Sequence, residues 1–170
     1  MNVAYIGVGS NIDPRKHIPA AVADLMPHVN VTACSTFLRT LPLGGPVQPD
    51  YANGVIRAET VLAPADLKSL LRRVEAANGR IRSSERYAAR TIDLDILVYD
   101  AQIVREAGLV IPSPDLLGRA FLLLALHEVA PDLAIPGEER PLAEIVSGLD
   151  VSFEPYSDLT ELVRRTISGG

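Results

Sequence analysis

Asp93 and Asp95 lie two positions apart in Thr91-Ile92-Asp93-Leu94-Asp95-Ile96-Leu97-Val98-Tyr99, a segment in which acids alternate with aliphatic residues. A period of two marks a strand, and on a strand both carboxylates leave the same face, about 6.6 Å apart from two rises of about 3.3 Å. Ile92, Leu94 and Ile96 take the opposite face. Neighbouring carboxylates repel unless a proton or cation relieves them, and an oxygen-only pair suits magnesium held jointly with phosphate oxygens. Just upstream stand Arg80, Arg82, Arg86 and Arg90. Guanidinium groups bind phosphate oxygens in forked geometry and offset the charge that moves during phosphoryl transfer. Together they point to a phosphate-loaded metal. Two plainer readings stay open: an amphipathic edge strand with solvated acids, and an exposed loop whose arginines pair with Glu85 or Asp93.

Other reactive patterns are few. Gly7-Val8-Gly9-Ser10-Asn11 sits between a strand and a helix, as a dinucleotide-binding turn would, but the third glycine would fall at Ile12. With no Walker-type phosphate loop either, a nucleotide must be held by other means, and Gly7 and Gly9 read as positions of close backbone packing. Tyr51-Ala52-Asn53 offers an aromatic face and an amide that both donates and accepts, suited to a flat heterocycle, although both residues are also common at strand starts. His17, His28 and His127 show no triad-like spacing with a serine or cysteine and read as surface or satisfied histidines. Cys34, the single cysteine, reads as a small core hydrophobe in a reducing compartment.

These residues are carried by a simple succession of elements. An apolar strand over 3–8 leads into a helix at 14–26 with Pro14 at its first position. A second strand is expected over 29–40, a loop with three prolines and a Gly pair over 41–49, and a third strand over 51–60. A helix opens at Ala63-Pro64, presents Leu67, Leu70, Leu71 and Val74 on one face, and stops at Asn78-Gly79. With the acidic strand the order is that of a split βαβ unit, an α+β sandwich whose antiparallel-rich sheet carries helices on one face. Further helices are expected at 119–129, 141–149 and 159–167. The 170 residues suit one domain, 1–170. A net charge of −5 opposes general polyanion binding, and no apolar run is long enough to span a bilayer. With no basic leader before the first strand, the expectation is a cytoplasmic protein that binds neither nucleic acid nor membrane, with monomer and homodimer both open.

Three stretches resemble the 6-hydroxymethyl-7,8-dihydropterin pyrophosphokinases of folate biosynthesis. They are Tyr5-Ile6-Gly7-Val8-Gly9-Ser10-Asn11; Arg39-Thr40 followed by Pro49-Asp50-Tyr51-Ala52-Asn53; and Gly79-Arg80-Ile81-Arg82 with Arg90-Thr91-Ile92-Asp93-Leu94-Asp95-Ile96-Leu97. The resemblance runs from residue 3 to about 150 and leaves 151–170 as a C-terminal extension. It implies a ferredoxin-like βαββαβ fold and transfer of the terminal pyrophosphoryl unit of ATP to the pterin's hydroxymethyl oxygen, releasing AMP. It further implies two Mg2+ ions bridged by Asp93 and Asp95, a pterin between Tyr51 and Phe121, and pterin-edge bonds from Asn53 and the backbone near Thr40 and Leu43. Glu75, Arg80, Arg82, Arg90 and Arg119 would face the nucleotide and its phosphates, with Arg80, Arg82 and Arg90 catalytic, and Ile96 would lie near adenine.

The chain departs from the family pattern at Arg72 (usually Gln), Ser113 (His), Leu41 (Pro), Tyr87 (Trp) and Ala89 (Pro), mostly on the nucleotide side. Without that His a phosphate donor is missing, and Arg72 is a cation that could replace it. Closure of the loops at 41–49 and 80–90 would keep water from hydrolysing ATP. A non-catalytic pterin- or nucleotide-binding paralogue is the alternative. An RNA-binding module is opposed by the net acidity and by aromatic content of only 5%.

Overall fold

In the computed structural model, which describes residues 1–44 and 47–170, β1 (Asn2–Ser10) runs through the middle of the sheet. The remainder of the loop expected at 41–49, Gly45-Pro46, lies outside the described residues. β1 is flanked on one side by β4 (Tyr51–Thr60) and on the other by β5 (Asp93–Tyr99), both antiparallel to it. β2 (Asn30–Cys34) pairs with β4, so the order is β2-β4-β1-β5 with β5 at an edge, as in a ferredoxin-like sheet.

The strand expected over 29–40 is broken. β3 (Leu38–Thr40) pairs with β4 separately from β2, because Ser35-Thr36-Phe37 leaves the ladder. Phe37 is fully buried beside Gly54, where an added Cβ would come within 2.8 Å of the phenyl ring. The Ser35 hydroxyl takes the Val55 N–H at 2.9 Å and the Thr160 hydroxyl takes the Phe37 N–H at 2.9 Å, so the interrupted backbone is satisfied by side chains.

α1 (Pro14–Leu25) and α2 (Pro64–Ala77) pack on one face, each burying residues at helical spacing, among them Ile18, Ala21, Val22 and Leu25, and Leu67, Leu70, Leu71 and Val74. Gly79, at φ +79°, supplies the left-handed turn that ends α2. After β5 comes a hairpin unforeseen in the sequence, β6 (Val104–Glu106) and β7 (Leu109–Ile111), turning through Gly108 at φ +76°.

α3 (Ala120–Val129) and α4 (Leu142–Ser147) then cover the other face of the sheet, packing Leu122, Leu123, Leu126, Leu142 and Ile145 with Val55, Leu97 and Val98. Both faces therefore carry helices, whereas the βαββαβ order predicts one covered face; the second layer comes from the segment after the split βαβ unit. α5 (Ser157–Ser168) places Leu159 and Val163 in the first core with α1. Among the described residues no helix is long and apolar enough to cross a membrane.

Candidate functional site

Residues in register on adjacent strands share a face, and two such rows build the floor of the site. Asn53 of β4, Gly9 of β1 and Asp93 of β5 form one; Val55, Gly7 and Asp95 form the next. Gly9 has no room for a side chain, since a Cβ there would sit 2.5 Å from Asn53 Oδ1. The two glycines thus let an amide on one side and two carboxylates on the other face a shared floor, a more definite role than the close packing expected of them.

Two depressions meet there. The larger, about 390 Å³, is lined by Arg72, Glu75, Arg80, Arg82, Arg90, Asp93, Asp95, Ile96 and Ser113, nine of the expected site residues, together with Lys68, Asp115 and the hairpin. The smaller, about 170 Å³, is lined by Thr40, Leu43, Tyr51, Asn53 and Phe121, with Gln48 and Tyr87 closing it. Arg90, Asp93 and Asp115 belong to both. Arg119 stands in the smaller pocket, 3.9 Å from Asp115, whereas the resemblance groups it with the nucleotide. None of the three histidines lines either depression.

The charged groups are tightly interlocked. Glu75 is only 3% exposed. It accepts the Leu94 N–H at 3.0 Å and guanidinium bonds from Arg80 at 2.8 Å and Arg82 at 2.9 Å. Burial pushes its carboxyl pKa above the usual value, opposed by the Leu94 amide and the Arg80 charge. Arg80 also donates to the Ile92 carbonyl at 2.8 Å and to Asp93 Oδ1 at 3.1 Å, while Arg90 reaches Asp93 Oδ2 at 3.1 Å. Each oxygen of Asp93 therefore has its own guanidinium. These pairings are the loop ion pairs that the plainer reading allowed, yet they line a cleft.

Asp95 is served differently. Among the described residues its side chain has one hydrogen bond, from the Ser113 hydroxyl at 2.8 Å. Its carboxylate opens to the cleft, yet the walls around it displace enough water to raise its pKa; Ser113 opposes this, and the charge of Asp93 adds to it. Among the described residues no group of three or more His, Cys, Asp or Glu side chains could hold a metal alone. The donor set, two carboxylates side by side, instead fits a hard cation that keeps most of its coordination for phosphate oxygens and water.

Three residues that the sequence reading passed over matter here. Lys68 lines the larger cleft and donates to the Gly108 carbonyl, joining α2 to the hairpin. Its spacing of four from Arg72 on one helix would have pointed to it. Buried Asn11 joins both loops to the end of β1. Its Nδ2 donates to Gln48 Oε1 at 2.7 Å and the Pro49 carbonyl at 3.1 Å, and its Oδ1 accepts the Arg90 N–H at 2.8 Å. Gln48 in turn donates to the Tyr87 carbonyl at 2.7 Å.

Residues 5–131 match the family model described as 7,8-dihydro-6-hydroxymethylpterin-pyrophosphokinase (HPPK). The protein named 2-amino-4-hydroxy-6-hydroxymethyldihydropteridine pyrophosphokinase in Haemophilus influenzae is 38% identical over 142 residues, covering 82% of this chain and 88% of its own length. The protein of the same name in Methylorubrum extorquens is 39% identical over 155 residues, 89% of this chain and 96% of its own. A crystal structure of Plasmodium falciparum HPPK-DHPS wild type with STZ-DHP has a similar fold, with a TM-score of 0.71 over 98% of this chain at 12% identity. This chain covers 45% of that one, less than half its length.

Proposed function

The chain belongs to the 7,8-dihydro-6-hydroxymethylpterin-pyrophosphokinase family, and we infer that it transfers the terminal pyrophosphoryl unit of ATP to the hydroxymethyl oxygen of 6-hydroxymethyl-7,8-dihydropterin, releasing AMP. One observation carries this reading: a cationic cleft and a smaller aromatic-walled pocket meet at Asp93 and Arg90. A donor in the first and an acceptor in the second would bring a β-phosphorus and a hydroxymethyl oxygen to a shared wall. Displacement at phosphorus needs alignment and charge neutralisation more than a covalent nucleophile.

On this reading Arg80, Arg82 and Arg90 grip the phosphates, and Arg72, Glu75, Ile96 and Ser113 shape the rest of the nucleotide cleft. Asp93 and Asp95 hold two Mg2+ ions, which when bound neutralise phosphate charge and help align the triphosphate. Tyr51 and Phe121 flank the pterin. Asn53, whose Nδ2 donates to the Thr40 hydroxyl at 2.8 Å, presents an oriented amide to its edge, beside Leu43. Arg119, on the acceptor side, would lend positive charge where the two substrates meet. The buried lone Cys34 supports a cytoplasmic setting.

The non-catalytic alternative finds no support in the site. Arg72 lines the same cleft as Ser113, so the cleft keeps a cation on its wall although the family's His is missing. The deciding test is incubation with ATP, magnesium and the pterin, which should give AMP and pterin diphosphate in equal amounts. No AMP at high enzyme would overturn the reading. Asp95→Ala should abolish turnover while keeping the circular-dichroism spectrum, and near-normal rates in that variant would overturn the metal assignment.

A further inference from the structure

The segment 150–156 precedes α5 and lies beyond the residues matched by the family model. It runs along β3. Leu38 and Pro155 form an antiparallel bridge, the Arg39 N–H donates to the Glu154 carbonyl at 2.8 Å, and the Tyr156 N–H donates to the Phe37 carbonyl at 2.8 Å. The Arg39 side chain ties the same strip from the side: Nε is 3.3 Å from Glu154, and the guanidinium lies 4.4 Å over the Tyr156 ring. It also stands 3.8 Å from Asp50, the residue before Tyr51. Beyond the strip, α5 is anchored in the core through Leu159 and Val163.

From this pinned strip Phe153 meets Phe121 edge to face, ring centroids 6.0 Å apart and planes at 84°. Phe121 lines the smaller pocket and Phe153 does not. Both rings are half-buried. Without Phe153, the Phe121 ring, in the first turn of α3, would have one flank free to change rotamer.

We propose that the C-terminal strip 150–156 is a fixed support behind the acceptor pocket, and that Phe153 is a positioning residue which sets the ring of Phe121, a lining residue, against the incoming heterocycle. The acceptor's identity rests on the function proposed above; the buttressing of Phe121 does not. An edge-to-face aromatic pair favours one ring orientation, so its loss weakens stacking of a flat ligand while leaving a triphosphate site on the far side of Asp93 untouched.

The test uses the full chain. Titration of Phe153→Ala with 6-hydroxymethylpterin should raise Kd by roughly three- to tenfold. Phe153→Tyr should return it to within about twofold of the parent, and Kd for α,β-methylene ATP with magnesium should stay within about twofold in both variants. An unchanged pterin Kd, or parallel losses for both ligands, would overturn the proposal. If Phe153→Ala does not fold, Phe153→Leu, which keeps bulk without the ring edge, takes its place. The chain has only three phenylalanines, Phe37, Phe121 and Phe153, so ring-13C phenylalanine NMR gives a ligand-free readout. The Phe121 signals should move in the variant while those of Phe37 hold, and an unmoved Phe121 would sink the buttress. A parent that fails to bind pterin would count against the proposed function instead, with the Phe121 signals still deciding the role of Phe153.

Discussion

Glu75→Ala is expected to be the most destabilising single change in the cleft. The substitution removes the acceptor of a buried amide: Leu94, whose N–H it takes at 3.0 Å, is 7% exposed, so that donor is stranded at about 1–3 kcal/mol. It also strips one of three partners from Arg80, whose side chain is 10% exposed, a charge-assisted bond of roughly 1.5–3 kcal/mol. The Arg82 bond adds about 0–1 kcal/mol, because that guanidinium is 58% exposed. Two effects pull the total down: Arg80 keeps the Ile92 carbonyl and Asp93, and burial already disfavours the Glu75 carboxylate. A net loss of about 3 kcal/mol follows, which for a chain of this size lowers Tm by roughly 6–12 °C. Glu75→Gln keeps an oxygen for the Leu94 amide and should lose only about half as much. Differential scanning calorimetry without nucleotide measures both. A drop below about 3 °C for Glu75→Ala, or equal drops for the two variants, would show that the pairings at Glu75 do not hold the cleft together.

Asp95 gives a prediction of opposite sign. Its folded pKa lies above the ordinary 3.8, so the folded state binds this proton more readily than the unfolded chain, and stability is lost as pH rises from there through the folded value. Without divalent cations, Asp95→Asn should therefore melt above the parent at neutral pH, with the advantage disappearing below about pH 4. Calorimetry across that range checks it, and a constant or reversed difference would contradict the burial argument. Gly9→Ala places a Cβ 2.5 Å from Asn53 Oδ1 and must push that amide off the Thr40 hydroxyl. Pterin Kd should rise by about tenfold or more with nucleotide binding less affected, and an unchanged pterin Kd would mean that Asn53 does not read the acceptor.

What could be read from the sequence was what local pattern controls. The bounds of β4 came out as observed, Tyr51–Thr60, because a proline-rich stretch and Ala63-Pro64 bracket a strand-forming run. The break between β2 and β3 did not, since its cause is distant: Phe37 sinks beside Gly54 and gives its N–H to Thr160, 123 residues away. The hairpin at 104–111 escaped because two three-residue strands carry too little alternation to register. The acids and arginines were legible as one segment. The depression that Arg119 would line was not: it sits one residue before α3, and only packing of that helix on the second face of the sheet turns it toward the smaller pocket.

The ion pairs of the free protein also bear on how a substrate enters. Asp93 is held by Arg80 and Arg90, the same guanidiniums proposed to grip phosphate. Entry of a magnesium-loaded triphosphate would exchange arginine–aspartate pairs for arginine–phosphate and aspartate–metal pairs. No buried charge need be left alone during that exchange, which avoids the penalty that removing one partner would impose. Glu75 is not part of it. Buried behind Arg80 and Arg82 and bonded to the backbone of β5, it can hold both arginines in place while Asp93 changes partner. A site with Glu75 but without Asp93 would keep its cationic wall and lose a carboxylate proposed to hold metal; one with Asp93 but without Glu75 would lose the geometry of the wall itself. On the proposed function, this division of labour gives a role to an acid whose charge is disfavoured by burial and which lies at the back of a cationic cleft.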